Sequence, residues 1–380
     1  MLSVLFVNYN SWAELEGALT SLAQQWPLDG GQRELEVVVV DNASPHRDAS
    51  IEARVEASLA RWGGRLVRHA RNDGYGGGMN LALEHASGEL ILVCNPDLLF
   101  LPGCIERMAR HLDEHPRVGV VSPETFATAD RSLRLPTGVV PTLADFVGDT
   151  LAALSPRFAH RNSMRRTRQF LPVWSAGPDL EVEMVAGCCF MLRRAVIEEV
   201  GFFDERYTLY YEDTDLSLRV RRAGWTIEQV DGAGIVHLYD RSAATDRHAA
   251  HARMLHSRRA YFRRWYGPLG AWAHDACLAL LRTGWAERRR SKAQDSAVPL
   301  GVAAGELSLE IPGPSRRWLV EIAYDPDFLY AAGQIGSGPC WTPCEQVLAE
   351  LRQPAWLRII DLDGARPREL VRYRWGVSPG

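Results

Sequence analysis

Acidic residues follow two short apolar runs in the first hundred residues of the chain. Asp41 comes directly after residues 38–40, and Asp97 follows residues 90–94 after a two-residue Asn-Pro step. A carboxylate at the C-terminal end of a strand can accept hydrogen bonds from a ribose or a pyrimidine N–H. On a turn whose backbone is fixed by Pro96, Asp97 also suits a divalent cation that bridges two phosphates. The alternative for both residues is an ordinary capped turn.

A glycine cluster leads into a predicted helix farther along this region. Residues 72–80 read Asn-Asp-Gly-Tyr-Gly-Gly-Gly-Met-Asn. Glycines at the start of a helix let backbone N–H groups approach an anion such as a diphosphate closely. The spacing is not the dinucleotide fingerprint, because Met79 stands in place of the third glycine, and no Walker lysine follows. A tight turn is the alternative interpretation.

Three carboxylates lie together at the start of another predicted helix. Glu212, Asp213 and Asp215 follow two tyrosines and precede Arg219. The helix dipole favours acidic residues in a first turn, and Asp215 can pair with Arg219 one turn later, so a structural role is a real alternative. The tyrosines indicate a carboxylate partly withdrawn from water, where the pKa of a general base can be tuned.

A histidine at the end of a later apolar run is a second candidate metal ligand. His237 follows residues 234–236, and Ser242 stands five residues beyond it. A neutral imidazole at a strand end could complete a metal site with Asp97. A structural histidine is the alternative.

The elements that must position these residues alternate between strands and helices, which predicts a parallel sheet covered by helices. We expect strands over residues 2–8, 36–40, 66–69, 90–94 and 118–122, and helices over residues 12–25, 78–86 and 102–115. Pro102 suits the first position of the last helix. Because open sheets of this kind bind ligands beyond the carboxyl ends of their strands, the motifs fall where a site is expected.

The later part of the chain is less regular. Residues 124–180 carry scattered prolines and predict loops, followed by an apolar run over 182–192 and helices that begin near Arg193 and cover 213–223 and 244–266. A charged stretch over 288–297 predicts a linker, and segments at 306–311, 318–324 and 357–362 predict a small β-rich domain. The expected domains are residues 1–243, 244–297 and 298–380.

The composition is that of an ordinary globular protein. The 380 residues predict two folding units, and 46% hydrophobic and 24% charged residues exclude a disordered or fibrous chain. A net charge of −4 indicates no particular partner, and we expect no nucleic acid. Seven irregularly spaced cysteines predict a reduced, cytoplasmic setting. The first apolar run lacks a preceding basic region and predicts a strand instead of a signal peptide.

A basic stretch is hidden within this balanced composition. Between residues 253 and 292, nine arginines and Lys292 are set against only Asp275 and Glu287. Each Lys or Arg near an anionic leaflet contributes about 1 kcal/mol, and the apolar residues within 269–281 could add a shallow contact. The stretch predicts peripheral attachment to the inner face of the plasma membrane. A solvated arginine face, or packing of the apolar residues against the C-terminal domain, is the alternative.

In their order and context, these motifs resemble those of family 2 glycosyltransferases of the GT-A fold, and within them the bacterial rhamnosyltransferase-like branch. The resemblance runs from Leu2 to about Ser242 and continues more weakly to about Tyr266. It rests on the motifs at residues 7–10, 40–44, 72–80, 95–97, 185–204 and 212–215, and on His237 with Ser242.

The resemblance implies a GT-A domain of the α/β class and an inverting transfer of a sugar, with rhamnose as a candidate, in the assembly of a cell-surface polysaccharide or glycan. It implies a dTDP- or UDP-sugar donor and a glycan or lipid-linked acceptor. Asp213 would be the catalytic base, Asp97 and His237 would hold Mg²⁺ or Mn²⁺, and Asp41 would contact the nucleotide base. The other donor-site residues would be Asn8, Asn10, Asn42, Asn72, Gly74, Asn80 and Asn95, and the residues supporting catalysis or the acceptor would be Glu212, Asp215 and Gly187.

The chain departs from the family pattern at one motif, because the common D-x-D sequence reads Asn95-Pro96-Asp97 here. This variant is familiar in the rhamnosyltransferase-like branch and has one carboxylate ligand fewer. The resemblance also leaves the residues beyond Tyr266 without an assigned role.

Two other functions compete with this interpretation. A sugar-phosphate nucleotidyltransferase would share much of the fold, but such enzymes carry a glycine-rich loop with Arg and Lys after the first strand. Here residues 8–12 read Asn-Tyr-Asn-Ser-Trp, and the only lysine of the chain is Lys292. A non-catalytic scaffold that binds carbohydrate through its C-terminal domain would not need Asp97, Asp213 and His237 together.

Overall fold

The computed structural model describes residues 1–26, 34–175, 177–237, 247–290, 297–300, 307–350 and 354–376. The chain divides into two compact units. Unit 1 comprises Met1–Thr125, Thr137–Val140 and Gly177–Gly267, and unit 2 comprises Phe126–Pro136, Pro141–Ala176 and Pro268–Gly380. The compact units therefore follow other boundaries than the predicted domains 1–243, 244–297 and 298–380, which remain a prediction about this chain.

The first half of unit 1 alternates strands and helices as predicted. Its elements are β1 (Leu2–Asn8), α1 (Trp12–Gln25), β2 (Leu35–Asp41), α2 (Ala49–Ala60), β3 (Arg65–Arg68), α3 (Gly74–Glu84) and β4 (Leu90–Cys94). The strands β3, β2, β1 and β4 lie side by side and parallel. Val4 and Phe6 of β1 point into one hydrophobic core, while Leu5 and Val7 point into the other, as the two-residue period of a strand requires.

The second half of unit 1 makes the sheet mixed. Its elements are β5 (Leu98–Phe100), α4 (Cys104–Glu114), β6 (Val118–Phe126, whose last residue belongs to unit 2), β7 (Leu180–Glu181), β8 (Cys189–Arg193), α7 (Arg194–Val200), α8 (Glu212–Arg222) and β9 (Thr226–His237). Among the described residues the strand order is β3-β2-β1-β4-β8-β6-β9-β5, with β7 beside β9. β8 runs antiparallel to both β4 and β6, so the predicted parallel sheet is correct only for its first four strands.

Two other predictions for unit 1 need correction. α4 begins at Cys104 after Gly103, whose φ of +78° is left-handed, so Pro102 lies outside the helix instead of at its first position. Of the apolar run 182–192, only the C-terminal part from Cys189 is a strand of the central sheet.

The region predicted as loops contains two helices of unit 2, α5 (Leu143–Ala152) and α6 (Pro156–Trp174). Thr142 and Asp145 form a capping box at the start of α5, and Pro156 occupies the first turn of α6. The prolines of this region therefore stand mostly outside the helices or at their ends, with Pro172 in the last turn of α6. The expectation of a loop-rich segment was wrong.

A small β-sheet forms the rest of unit 2, as predicted for the C-terminal part. Its strands are β10 (Val298–Leu300), β12 (Arg317–Ala323), β13 (Ala331–Ser337), β15 (Ala355–Asp361) and β16 (Arg368–Trp375), in the order β10-β16-β15-β12-β13. β11 (Leu309–Glu310) pairs with β14 (Cys340–Trp341), and α11 covers Glu345–Glu350. α6 packs on this sheet at Gly333, where an added Cβ would lie 2.5 Å from the Trp174 ring.

Buried charges also join α6 to the sheet. Arg358 is fully buried, donates from its Nη atoms to Ser163 and Thr167 at 2.9 Å each, and is paired with Glu321. Its guanidinium carbon lies 4.0 Å from the centre of the Phe328 ring. We call Ser163, Thr167, Glu321 and Arg358 the Arg358 cluster.

The basic stretch is helical over most of its length. α9 covers Arg247–Leu281 but is interrupted at Gly267, whose φ of +70° is not helical, immediately before Pro268. The helix predicted over 244–266 therefore ends at this break, and a second helical stretch covers residues 268–281, while residues 244–246 lie outside the described part. α10 (Gly284–Arg290) extends into the predicted linker 288–297, of which residues 291–296, including Lys292, are not described.

Candidate active site

Asp41 ends β2 beside the end of β1, and Asn8 holds it there. Asn8 is fully buried, and its Nδ2 lies 3.3 Å from Asp41 Oδ1 and 3.3 Å from Ser44 Oγ. The Oδ1 of Asn8 accepts the backbone N–H of Ser11 at 3.1 Å. These contacts orient the Asp41 carboxylate, and the role of Asn8 in donor binding remains a prediction.

Asparagine side chains also shape the glycine cluster at the start of α3. Asn42 Nδ2 donates to Asn72 Oδ1 at 3.1 Å and to the Gly74 carbonyl at 2.9 Å, and Asn72 Oδ1 accepts the Gly74 N–H at 2.9 Å. Gly74 has a φ of +80°, and an added Cβ would lie 2.6 Å from the Thr208 carbonyl oxygen. Only glycine fits this turn.

Two other predicted donor-site asparagines are engaged within the fold. Asn10, with a φ of +58°, accepts the His46 N–H at 3.1 Å. Asn80 donates to the Phe203 carbonyl at 3.0 Å and accepts the Phe203 N–H at 3.2 Å. Both ends of the Asn80 amide thus bond one backbone residue, and the role of Asn80 in donor binding remains a prediction.

Asp97 and His237 face one another where the start of β5 pairs with the end of β9. Leu98, the first residue of β5, is in register with His237 at the end of β9, and this pairing brings His237 Nε2 to 3.2 Å from Asp97 Oδ1. Asp97 is only 2% exposed. Ser242, predicted together with His237, lies outside the described residues. In the described part of the chain no third His, Cys, Asp or Glu completes a metal site.

This donor set of one carboxylate oxygen and one imidazole nitrogen fits a divalent cation that takes its remaining ligands from a diphosphate and water. Asn95, which replaces the first carboxylate of the common motif, is half-buried, and its backbone N–H donates to the Cys188 carbonyl at 2.8 Å. Through that bond the Asn95–Asp97 turn is tied to the segment that precedes β8.

Asp213 is held at the start of α8 by backbone and side-chain donors. Its Oδ2 accepts the Gly187 N–H at 2.8 Å, and its Oδ1 accepts the Thr214 N–H at 2.6 Å. An added Cβ on residue 187 would lie 3.1 Å from Asp213 Oδ2, so glycine at this position leaves room for the carboxylate. Residues 187 and 188 thus join Asp213 to the Asn95–Asp97 turn.

Burial governs the charge of Glu212 and Asp213 at this site. Glu212 is 5% exposed, and its Oε2 has no hydrogen-bond partner among the described residues. Burial raises the pKa of Glu212 well above its ordinary value, and the Asp213 charge raises it further. Burial also raises the pKa of Asp213, against the opposing effect of its bonds to Gly187 and Thr214. A carboxylate with a raised pKa is suited to accept a proton near neutral pH.

Asp215 belongs to a different environment although it is only two residues away. It is fully buried and is bonded by Arg219 Nε at 2.8 Å, Trp265 Nε1 at 2.9 Å and Tyr207 Oη at 3.1 Å. Arg264 Nε adds an ion pair at 3.0 Å. The predicted pairing with Arg219 is confirmed, and the surrounding donors hold the carboxylate within the fold, while the expected role of Asp215 at the acceptor site remains a prediction.

The backbone before Asp213 is held in an uncommon conformation. Tyr210 and Tyr211 both have left-handed φ values, +63° and +73°, directly before the first residue of α8. Two such residues in succession without glycine store backbone strain, which is frequent at functional sites. Tyr211 packs on the Tyr261 ring, with ring centres 5.1 Å apart.

Two residues that were not predicted from the sequence, Cys188 and Tyr75, also contact this site. The backbone carbonyl of Cys188 accepts the Asn95 N–H and so connects the Asn95–Asp97 turn to the segment that holds Asp213. Burial raises the pKa of the Cys188 thiol, and Cys189, Asp97 and Asp213 raise it further. Tyr75 donates its hydroxyl to the Gly187 carbonyl at 2.8 Å. An aromatic residue inside a glycine cluster was the available clue to Tyr75, whereas no local pattern marks Cys188.

A known protein family matches the N-terminal part of the chain. The model of glycosyl transferase family 2 matches residues 3–201. The chain belongs to this family. The GT-A fold and the family resemblance predicted from the sequence are thereby confirmed, and the chain is a glycosyltransferase of the α/β class.

Among relatives, the chain is 29% identical over 259 residues to the N-acetylglucosaminyl-diphospho-decaprenol L-rhamnosyltransferase of Mycobacterium tuberculosis. The aligned segment covers 65% of this chain and 78% of that protein. It is 22% identical over 244 residues to the low-salt glycan biosynthesis hexosyltransferase Agl10 of Haloferax volcanii, covering 62% and 66%. A solved mannosyltransferase of Pyrobaculum calidifontis, in complex with GDP-Man and Mn²⁺, is similar with a TM-score of 0.47 and 20% identity, over 77% of this chain and 73% of that chain.

No helix among the described residues combines the length and the apolar character that are needed to cross a membrane.

Proposed function

We propose that the protein is an inverting glycosyltransferase that transfers a sugar, with rhamnose as the first candidate, from a dTDP- or UDP-sugar to a hydroxyl of a lipid-linked glycan. Membership of glycosyl transferase family 2 and the likeness to a rhamnosyltransferase support the reaction class. The observation that carries the proposal is Asp213, a carboxylate with a raised pKa that is held by the Gly187 N–H.

In this reaction Asp213 accepts the proton of the acceptor hydroxyl as its oxygen attacks the anomeric carbon. The new glycosidic bond forms on the face opposite the breaking bond, and the nucleoside diphosphate leaves with the electron pair. One displacement inverts the anomeric configuration and requires no covalent sugar–enzyme intermediate. The donor base and ribose would contact Asp41, which Asn8 keeps in place.

Asp97 and His237 are the residues that would hold Mg²⁺ or Mn²⁺. When bound, the cation neutralises the negative charge that develops on the leaving diphosphate.

A donor and acceptor assay tests the proposed function. The full chain is incubated with Mn²⁺, a short-chain polyprenyl-diphosphate-linked N-acetylglucosamine, and in turn dTDP-rhamnose, UDP-N-acetylglucosamine and GDP-mannose. We expect acceptor-dependent release of dTDP, and a product whose anomeric configuration by NMR is opposite to that of the donor. A product that retains the donor configuration would overturn the inverting mechanism.

The cation site can be tested through donor binding. Asp97→Ala and His237→Ala should each remove most of the thermal stabilisation that a dTDP-sugar gives in the presence of Mn²⁺, because each removes one of two protein ligands. At about 100 times its Kd a ligand stabilises by roughly 2.7 kcal/mol, so the loss is measurable. His85→Ala, outside the site, is the control, and undiminished transfer in excess EDTA would contradict a cation requirement.

We further propose that unit 2 contacts an anionic membrane surface, where a lipid-linked acceptor would reside. In residues 268–281, Leu269 and Trp272 are 69% and 68% exposed, and Ala276 and Leu280 continue the same helical stripe. His274 on the other face is buried and stacks on Phe146. Packing within unit 2 therefore covers one face of this helix and leaves the apolar stripe exposed.

Only some arginines of the predicted basic stretch support the proposed contact with an anionic lipid surface. Arg282 and Arg289 are exposed, and Arg289 lies 4.9 Å over the half-exposed Trp285 ring. Arg264, by contrast, is paired with Asp204 and Asp215 and is removed from the predicted set. The side chains of Arg288 and Arg290 lie outside the described part of the chain.

Sedimentation with vesicles tests this contact. Wild type should bind phosphatidylglycerol-containing vesicles in a salt-sensitive way and leave neutral phosphatidylcholine vesicles unbound. The double change Leu269→Ala and Trp272→Ala should remove most of the binding, while Leu329→Ala, an exposed apolar residue elsewhere in unit 2, should not. Unchanged binding of the double variant would contradict the assignment of the stripe.

A further inference from the structure

Tyr75 is linked to Asp213 through a single backbone residue. The Tyr75 hydroxyl donates to the Gly187 carbonyl at 2.8 Å, and the Gly187 N–H donates to Asp213 Oδ2 at 2.8 Å. Both polar backbone groups of Gly187 are thus engaged, one by α3 and one by α8. Three segments that are far apart in sequence meet at this residue.

The position of Tyr75 is itself fixed. The preceding Gly74 adopts a left-handed turn that only glycine fits, because of the close Thr208 carbonyl. The Tyr75 ring packs against Phe203, with ring centres 5.9 Å apart. Burial, followed by the nearby Glu212 charge, raises the pKa of Tyr75 well above its ordinary value, so the phenol remains a neutral donor.

Gly187 transmits this placement because it has no side chain to intervene. An added Cβ would lie within 3.1 Å of Asp213 Oδ2 and would displace the carboxylate. Because Tyr75 holds Gly187, the hydrogen bond from Gly187 restricts the rotation of the Asp213 side chain. A small misplacement of a catalytic group lowers the reaction rate.

We propose that Tyr75 is a positioning residue for the catalytic base: its hydroxyl fixes Gly187, and Gly187 fixes Asp213 in the direction of the acceptor hydroxyl. This inference rests on the proposed role of Asp213 as the base. It also gives the glycine cluster a second role beside the predicted contact with the donor. The turn that begins α3 places Tyr75 and thereby sets the geometry of the base.

Tyr75→Phe tests the inference, with Tyr207→Phe as a matched control. Both changes delete one tyrosine hydroxyl that is hydrogen-bonded within unit 1, but Tyr207 bonds Asp215 instead of Gly187. We expect Tyr75→Phe to lower kcat about tenfold with an unchanged KM for the donor, since one hydrogen bond is lost. Tyr207→Phe should lower Tm while leaving kcat within about twofold of wild type.

A double-mutant comparison separates this inference from the proposed function. In an Asp213→Asn background, Tyr75→Phe should cause no further loss of kcat, because the base it positions is gone. Gly187→Ala is a second variant, and it should lower kcat without weakening donor binding. Normal kcat in both Tyr75→Phe and Gly187→Ala would overturn the positioning role, whereas full transfer by Asp213→Asn alone would overturn the assignment of the base.

Discussion

The candidate active site of unit 1 and the Arg358 cluster of unit 2 both bury a glutamate, but with opposite partners. Glu321 is 1% exposed and is paired with the fully buried Arg358, which two hydroxyl groups also bond. Glu212 is 5% exposed and lies beside a second carboxylate, Asp213. A buried carboxylate with a matched cation holds elements together, whereas one without a cation has a raised pKa and is poised for proton transfer.

The same contrast recurs within one turn of α8. Asp215 accepts hydrogen bonds from Arg219 and Trp265 and forms an ion pair with Arg264. Its negative charge is therefore balanced by arginines of unit 1. Asp213 accepts hydrogen bonds from neutral groups of Gly187 and Thr214. Identical side chains two residues apart therefore have different electrostatic environments because of the elements that pack against them.

The largest effect should come from Asp213→Asn, which removes the proposed proton acceptor of the candidate active site. Transfer should fall by about 10²–10⁴-fold, while binding of the donor measured by calorimetry stays near that of wild type, because the base acts on the acceptor. Asp231→Asn, on an exposed part of β9, is the control. Parallel loss of donor binding would indicate that Asp213 is a structural or metal-binding residue.

Substitutions in the Arg358 cluster should change the stability of the fold instead of the transfer reaction. Arg358→Met should lower the free energy of unfolding of unit 2 by about 3–5 kcal/mol, because Glu321 is left buried without its cation. Adding Glu321→Leu should recover part of this loss. Arg368→Met breaks an ion pair whose arginine is 71% exposed, and we expect at most about 1 kcal/mol from it. Urea unfolding measures all three, and equal effects of Arg358→Met and Arg368→Met would refute the contrast.

The smallest effect should be a pH-dependent gain from Glu212→Gln. Since the folded-state pKa of Glu212 is raised, its protonated form stabilises the fold below the unfolded-state pKa, and this contribution is lost as the pH rises through the folded-state pKa. Glutamine cannot ionise, so the variant should match wild type near pH 4 and be more stable than wild type at pH 8, by on the order of 1 kcal/mol. Tm measured across this range, with exposed Glu114→Gln as the control, gives the answer. A variant less stable than wild type at pH 8 contradicts the raised pKa.

Local patterns were sufficient for the strands and helices that have one clear periodicity. β1, α1 and β4 have the predicted bounds because their apolar spacing and flanking polar residues are unambiguous. α6 was missed since it combines several arginines with two prolines and has its apolar residues facing a sheet that lies almost two hundred residues later. The compact units were not predictable for the same reason, because residues 126–136 join unit 2 through pairing such as Arg134 with Gly333.

The candidate site was predictable in its carboxylates and histidine but not in its supporting contacts. Asp41, Asp97 and His237 stand at strand ends, and strand ends can be located from the sequence. The partners of Asn80 and Asp215 come from Phe203 and from α9, and no local rule indicates which distant residue will occupy a polar side chain. Tyr75 and Cys188 act through backbone atoms of the segment 187–188, which have no sequence signature.

The division of the chain into interleaved units has a consequence for its synthesis. The polypeptide passes between the units five times, after residues 125, 136, 140, 176 and 267. When α6 leaves the ribosome, the strand that carries Arg358 is still about 180 residues away, which at roughly 5–20 residues per second means a delay of about 10–40 s. During that interval the nascent helix exposes Thr167 and Trp174 without the sheet that later covers them. A gene shortened at residue 298 would make this interval permanent, so trimming the C-terminal strands should yield an aggregating chain instead of a minimal transferase.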